Sequence, residues 1–120
     1  MPFDWDDYFN FAGAIVAKQQ PSQAECRSAV SRAYYSVFCV AKQKKGVPNK
    51  DSWGNGGVHN RVIQAYEDGN ATDLIIAGKL LDLMDMRVAA DYNTTVVIDK
   101  CKAQSAYNLA KEIRSELVYV

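Results

Sequence analysis

Proline is scarce in this chain of 120 residues, with three in all, and stretches of strand-like alternation are few, so the pattern argues against a β-sheet protein. Neither sign of charge is in excess. Fourteen Lys and Arg face fourteen Asp and Glu, which leaves no global field to gather nucleic acid. Any RNA or nucleotide contact therefore needs a local basic cluster, on one chain or assembled by oligomerisation. Long hydrophobic runs are missing too. The longest, around Phe11–Ala17 and Leu74–Ala77, fall far short of the ~20 residues of a membrane span, so no membrane partner is expected. The segment Met1-Pro2-Phe3-Asp4-Trp5-Asp6-Asp7 is acidic where a secretory signal carries positive charge. Cysteine is limited to Cys26, Cys39 and Cys101, an odd number without metal-ligand spacing, which suits a reducing cytoplasm. His59 is the single histidine and no Cys or carboxylate cluster surrounds it, so no metal site and no cofactor are expected.

What the sequence does hold is helical periodicity. Asp4 can cap a first helix in which Trp5, Tyr8, Phe9, Ala12, Ile15 and Val16 repeat at helical spacing, and Pro21 marks the turn that follows. Ser22-Gln23-Ala24-Glu25 reads as a capping box. The stripe Cys26, Ala29, Val30, Ala33, Tyr34, Val37, Phe38, Ala41 then predicts a long second helix, ending at Lys42, Lys44, Lys45 and Gly46. Residues 46–57, with four glycines and a proline, form a loop that is long for a compact bundle. Val58, Val62, Ile63 and Tyr66 carry a short third helix. After Asp68-Gly69-Asn70, with Asn70 or Thr72 as cap, Leu74, Ile75, Leu80, Leu81, Met84 and Val88 carry a fourth. Tyr92-Asn93-Thr94-Thr95 breaks it, and a last helix from near Ile98 uses Cys101, Ala106, Leu109, Ala110, Ile113 and Leu117. The expected fold is one all-α domain over residues 1–120, an up-and-down bundle of four main helices with a short helix in third position.

Three groups of residues invite a chemical reading. Arg87 and Asp91 are four apart, so they share a helix face, with Tyr92 and Asn93 where that helix gives out. Two readings fit: a helix-end ion pair, or a polar cleft in which Arg87 holds phosphate and Asp91 orients it. In Arg27-Ser28-Ala29-Val30-Ser31-Arg32-Ala33-Tyr34-Tyr35, Tyr34 continues the core stripe. Tyr35, about 100° away on the helix, points toward a neighbouring helix or a partner subunit, with Arg32 on the flank. His59 opens the third helix, where a packing role competes with proton transfer. Gly54-Asn55-Gly56-Gly57 has neither the preceding strand nor the lysine-serine pair of a phosphate loop, so nucleotide hydrolysis is rejected.

Together these segments resemble the prokaryotic branch of the HEPN domain family. The similarity lies in Arg27–Tyr35, in the element Arg87-Val88-Ala89-Ala90-Asp91-Tyr92, and in the His59 segment Val58-His59-Asn60-Arg61-Val62-Ile63 between them. The resemblance covers nearly the whole chain. It implies a helical bundle that dimerises and a toxin–antitoxin or defence setting, often beside a small nucleotidyltransferase. Many members of the family are metal-independent ribonucleases in which an Arg, four to six residues before a His, binds the scissile phosphate. Here Val88–Asn93 follow Arg87 without a histidine, and Tyr92 takes the earliest expected position. Tyrosine, with a pKa near ~10, is a poor base at neutral pH.

Three functions follow as expectations. The first is a dimeric, non-enzymatic protein that binds RNA, a nucleotide or a partner such as an antitoxin through Arg87, Asp91, Tyr92 and Asn93, with Arg32 and Tyr35 supporting the interface. The second is an atypical endoribonuclease in which Arg87 steadies phosphate and His59 or Tyr92 moves the proton. The third is a purely structural interaction module whose energetics centre on the Tyr35 face.

Overall fold

The computed structural model describes residues 2–48 and 57–118, so the Gly54–Gly56 part of the glycine-rich loop lies outside the described residues. Among the described residues are five helices: α1 (Asp6–Val16), α2 (Gln23–Lys45), α3 (Gly57–Glu67), α4 (Ala71–Tyr92) and α5 (Lys100–Leu117). No strand occurs among the described residues. The expected all-helical bundle is what forms, although α1 is as short as α3, at 11 residues each.

Local chemistry sets the ends of these helices. At the start of α2 the Ser22 hydroxyl accepts from Glu25 N at 3.1 Å while the Glu25 carboxylate accepts from Ser22 N at 2.9 Å, completing the capping box. Gly46 ends α2 in the left-handed region at φ 64°; Gly46 N donates to Gln43 O and Val47 N to Lys42 O, closing two carbonyls that would otherwise be orphans. A second capping box opens α4: Asn70 Oδ1 accepts from Asp73 N at 2.9 Å and Asp73 Oδ2 from Asn70 N at 3.3 Å. The N-cap of α1 is Trp5, without a side-chain cap bond, and not Asp4 as expected; Asp4 lies one residue earlier, where its Oδ1 accepts from Asp6 N at 2.9 Å.

Pairs of contacts fix the helix directions. Lys18 pairs with Glu25 and Tyr8 lies under Arg32, so α1 runs against α2. Lys45 meets Asp73 at one end of α2 and Arg27 meets Ala90 at the other, so α4 also runs against α2. Asp6 meets Arg114 and Lys18 O meets Lys100, setting α5 against α1 and alongside α2. The four helices α1, α2, α4 and α5 thus alternate in direction. Helix α3 is the insertion: Tyr34 meets His59 and Ala41 meets Tyr66, the same offset twice, so α3 runs beside α2 in the same direction.

Helix α2 is the central element, in contact with all four others. Every residue of its expected stripe is buried, Tyr34 and Val37 completely. On α1 and α3 the stripes also hold, with Phe9, Ala12, Ile15, Val16, Val62, Ile63 and Tyr66 in the core. Helix α4 departs from expectation. Its buried face is Ile76, Ala77, Leu80, Leu83, Arg87 and Ala90, while Leu74, Ile75, Leu81 and Val88 are exposed. Of the expected stripe Leu80 is buried and Met84 partly so; apolar side chains occupy both sides of this helix, so periodicity alone does not separate them. On α5, Ala106, Ala110, Ile113 and Leu117 are buried as expected, but Cys101 is exposed and Leu109 only partly covered.

Two polar clamps tie α2 to α4 at opposite ends. Arg27 donates from Nη1 to Ala90 O at 2.9 Å and from Nη2 to Val96 O, so it caps the orphan carbonyls at the end of α4 and holds the link to α5. At the other end Lys45 Nζ donates to the buried Asp73 carboxylate at 2.8 Å and lies 4.8 Å from the Tyr66 ring centroid. The Tyr66 hydroxyl donates to Ala41 O at 2.9 Å, and burial pushes its pKa up to about 12. Gly69 is required here, because a Cβ would sit 2.0 Å from Asp73 Oδ2.

Candidate functional site

The inward face of α4 carries one arginine, and the helix turns that bury Leu80 and Leu83 bury it as well. Arg87 is 8% exposed. An arginine at that depth ordinarily has its five donors matched by carboxylates or carbonyls, because a desolvated charge without partners is costly. Arg87 is poorly matched. Its Nη1 lies 3.5 Å from Asp91 Oδ2, beyond the reach of a strong charge-assisted bond, and its Nε has no hydrogen-bond partner. The same Asp91 oxygen accepts from Ser31 Oγ at 3.3 Å, so α2 contributes a hydroxyl to the pair.

The rest of the charge is met by aromatic faces. Arg87 Cζ lies 5.4 Å from the Tyr34 centroid and 5.5 Å from the Tyr35 centroid, distances at which a ring quadrupole attracts a cation. The i, i+1 spacing of these tyrosines puts Tyr34 in the core and leaves Tyr35 half-buried, so their rings meet edge to face at 5.3 Å and form one wall. His59 closes that wall from α3. It stacks on Phe38 at 4.4 Å between centroids, and its Nδ1 is 2.7 Å from the Tyr34 hydroxyl.

The electrostatics of this pair are one-sided. Burial raises the Tyr34 pKa far above the ordinary phenol value, so the hydroxyl stays protonated. Burial, and after it the positive charge of Arg87, lowers the His59 pKa below its usual value, so the imidazole is neutral at pH 7. Two tautomers are compatible with the contact. If Tyr34 donates to Nδ1, Nε2 carries a proton to give; if Nδ1–H donates to Tyr34, Nε2 offers a lone pair to take one. A neutral, half-buried histidine beside a desolvated arginine can therefore accept a proton in the second tautomer, or donate a hydrogen bond in the first, while the arginine binds an anion.

No protein-family profile, curated protein or solved structure matches this chain. The site is therefore judged on its own geometry. Arg87, Asp91, Tyr35 and His59 converge on one face of the α2–α3–α4 junction. Tyr92 and Asn93 stand apart from it. Tyr92 is 73% exposed, five positions on from Arg87 and so about 140° around the helix. Asn93 is the C-cap of α4, and its Oδ1 accepts from Thr95 N at 3.0 Å and Thr95 Oγ1 at 2.7 Å, a local turn. Arg32 lies 4.7 Å from the Tyr8 centroid on α1. Among the described residues no group of His, Cys, Asp and Glu could hold a metal ion.

Ser31 and Tyr34 are the site residues that sequence reasoning passed over. Ser31 had a signal: it is a polar residue in phase with an apolar stripe, and such a residue needs a partner. Tyr34 had none, since a core tyrosine looks the same in sequence whether its hydroxyl meets a carbonyl or a histidine.

Proposed function

We propose that this chain is a HEPN-like helical protein that binds a phosphate group of RNA or of a nucleotide at Arg87. It acts as a homodimer in the cytoplasm, in a toxin–antitoxin or defence system with an antitoxin or nucleotidyltransferase as partner. The observation that carries the reading is the unpartnered Nε of a buried arginine whose one counter-ion among the described residues stands 3.5 Å off. Asp91 lies at the exposed rim, held by long contacts to Ser31 and Arg87, and a phosphate taking its place would offer the guanidinium two oxygens at once. Titration of fluorescent RNA oligonucleotides and of ATP against wild type and Arg87→Ala tests this. Binding should weaken at least about tenfold in the variant. Equal binding by both proteins to every RNA and nucleotide would end the proposal. A monomer at micromolar concentration would remove the homodimer from it.

A second reading has its own support in the Tyr34–His59 contact: a metal-independent endoribonuclease in which Arg87 steadies the scissile phosphate and His59 moves the proton. It requires RNA cleavage that His59→Ala abolishes and Tyr34→Phe reduces. Intact RNA after incubation with the wild-type protein would leave the binding function alone.

A further inference from the structure

The solvent side of α4 differs from every other helix surface in the molecule. Leu74, Ile75, Leu81, Val88 and Tyr92 are between 42% and 73% exposed, and they make up five of the nine large apolar residues exposed among the described ones. Leu74, Leu81 and Val88 are seven apart, so they lie in one line along the helix, with Tyr92 continuing it to the end. Scattered exposed apolar residues are ordinary, but four on one line along a 22-residue helix, with Gly78 and Asp85 interrupting it, mark a surface that another element covers.

Charge decides what that element is. Asp82 lies beside the line and Asp85 within it at mid-helix, both exposed, and no cation among the described residues pairs with either. Lys79, the one lysine on α4, is engaged by Glu112 of α5 at 3.2 Å, and Arg87 is buried on the opposite side. Carboxylates in this position repel RNA and anionic lipid. A second copy of α4 fits poorly as well, because a two-fold pairing centred on Leu81 would gather Asp82 and Asp85 of both copies about the axis with nothing to neutralise them. What the face complements is a helix with an apolar stripe at the same spacing and Lys or Arg flanking it. Gly78 lies within the line, and no heavy atom stands within 4 Å of where its Cβ would be, so such a helix can approach closely at that point.

We propose that the outer face of α4 docks a cationic amphipathic helix of a partner protein. The apolar line would supply affinity, and Asp82 and Asp85 would supply the sign of charge that selects the partner. This does not rest on phosphate binding at Arg87, which lies on the other side of the helix.

The test uses the full chain and three fluorescent synthetic helices: one of leucine and lysine in amphipathic register, one with every lysine replaced by glutamate, and one with every leucine replaced by serine. Anisotropy should show the leucine–lysine helix binding at least about tenfold more tightly than either control. Leu81→Ser should weaken that binding about tenfold, and Asp82→Lys with Asp85→Lys should reverse the preference in favour of the glutamate helix. All three positions are exposed, so the fold survives, and an unchanged thermal melt verifies it. Failure of the leucine–lysine helix to bind, equal binding of the lysine and glutamate helices, or indifference to Leu81→Ser would each overturn the proposal. A dimer in solution that Leu81→Ser dissolves would overturn it too, by assigning the face to a second copy.

Discussion

Two buried charge clusters join α2 to α4, and they are built from similar parts to different ends. One holds Lys45 and Asp73 beside Tyr66; the other holds Arg87 and Asp91 beside Tyr34. Each puts a cation near a tyrosine ring, and each leaves one buried polar atom without a partner, Asp73 Oδ1 in the first and Arg87 Nε in the second. The first cluster closes on the backbone. Its ion pair is short at 2.8 Å, its carboxylate completes a capping box, and its phenol donates to a main-chain carbonyl. The second closes on groups that can trade partners, namely a loose ion pair, a rim carboxylate, and a phenol set against a histidine. One is arranged to stay as it is. The other keeps its arginine available.

That contrast can be broken by mutation. The largest loss of stability should come from Asp73→Ala, which removes half a capping box and strands Lys45 beside the core. We expect about 2–3 kcal/mol in urea denaturation, with phosphate binding retained by the folded fraction. A smaller loss, about 1–2 kcal/mol by the same measurement, should follow Gly69→Ala, because the new methyl group would displace the Asp73 carboxylate and the Cβ behind it.

His59→Phe should cost about 1 kcal/mol at neutral pH by leaving the Tyr34 hydroxyl without its ring nitrogen. It should also change how stability depends on pH. The folded protein holds the His59 pKa below that of the unfolded chain, near ~6.5, so as pH falls through that value the unfolded chain takes up the proton first. The share of stability that depends on neutral His59 is therefore fully present above that pH and is lost progressively as pH falls below it. His59→Phe should flatten the decline, and a parallel decline in both proteins would contradict this. The smallest effect on stability should be that of Arg87→Met. Exchanging a poorly compensated buried charge for an apolar side chain of similar length should leave stability within about 1 kcal/mol of wild type while abolishing phosphate binding. A loss as large as that of Asp73→Ala would place both clusters in the same structural class.

Much of the fold was legible because its signals are local. The Ser22–Glu25 box, Gly46 and the stripe of α2 each act within a few residues, and the helix they predict is the one that forms. The second box was half visible: Asn70 was readable as a cap, but Asp73 gave no sign that it would answer both Asn70 and Lys45. On α4 the apolar residues fall on both faces, so the stripe mixes buried Leu80 and partly buried Met84 with exposed Leu74, Ile75, Leu81 and Val88, and a hydrophobicity count does not mark Arg87 as inward. The candidate site was legible in part. Arg87 and Asp91 are linked by helix geometry, and sequence finds such pairs. His59 and Tyr34 are linked by tertiary packing across 25 residues, and no periodicity encodes that meeting.

The same-direction course of α3 beside α2 has a kinetic meaning. Eleven residues are too few to hold a helix in water, so α3 is helical only while docked on α2 and α4. Coiling and docking are then one event, and undocking of α3 is one way for this bundle to open in part. Each such opening carries His59 away from Tyr34 and strips one wall from around Arg87. His59 and Arg87 thus sit on separate helices, and the aromatic wall around Arg87 is complete only while α3 stays docked.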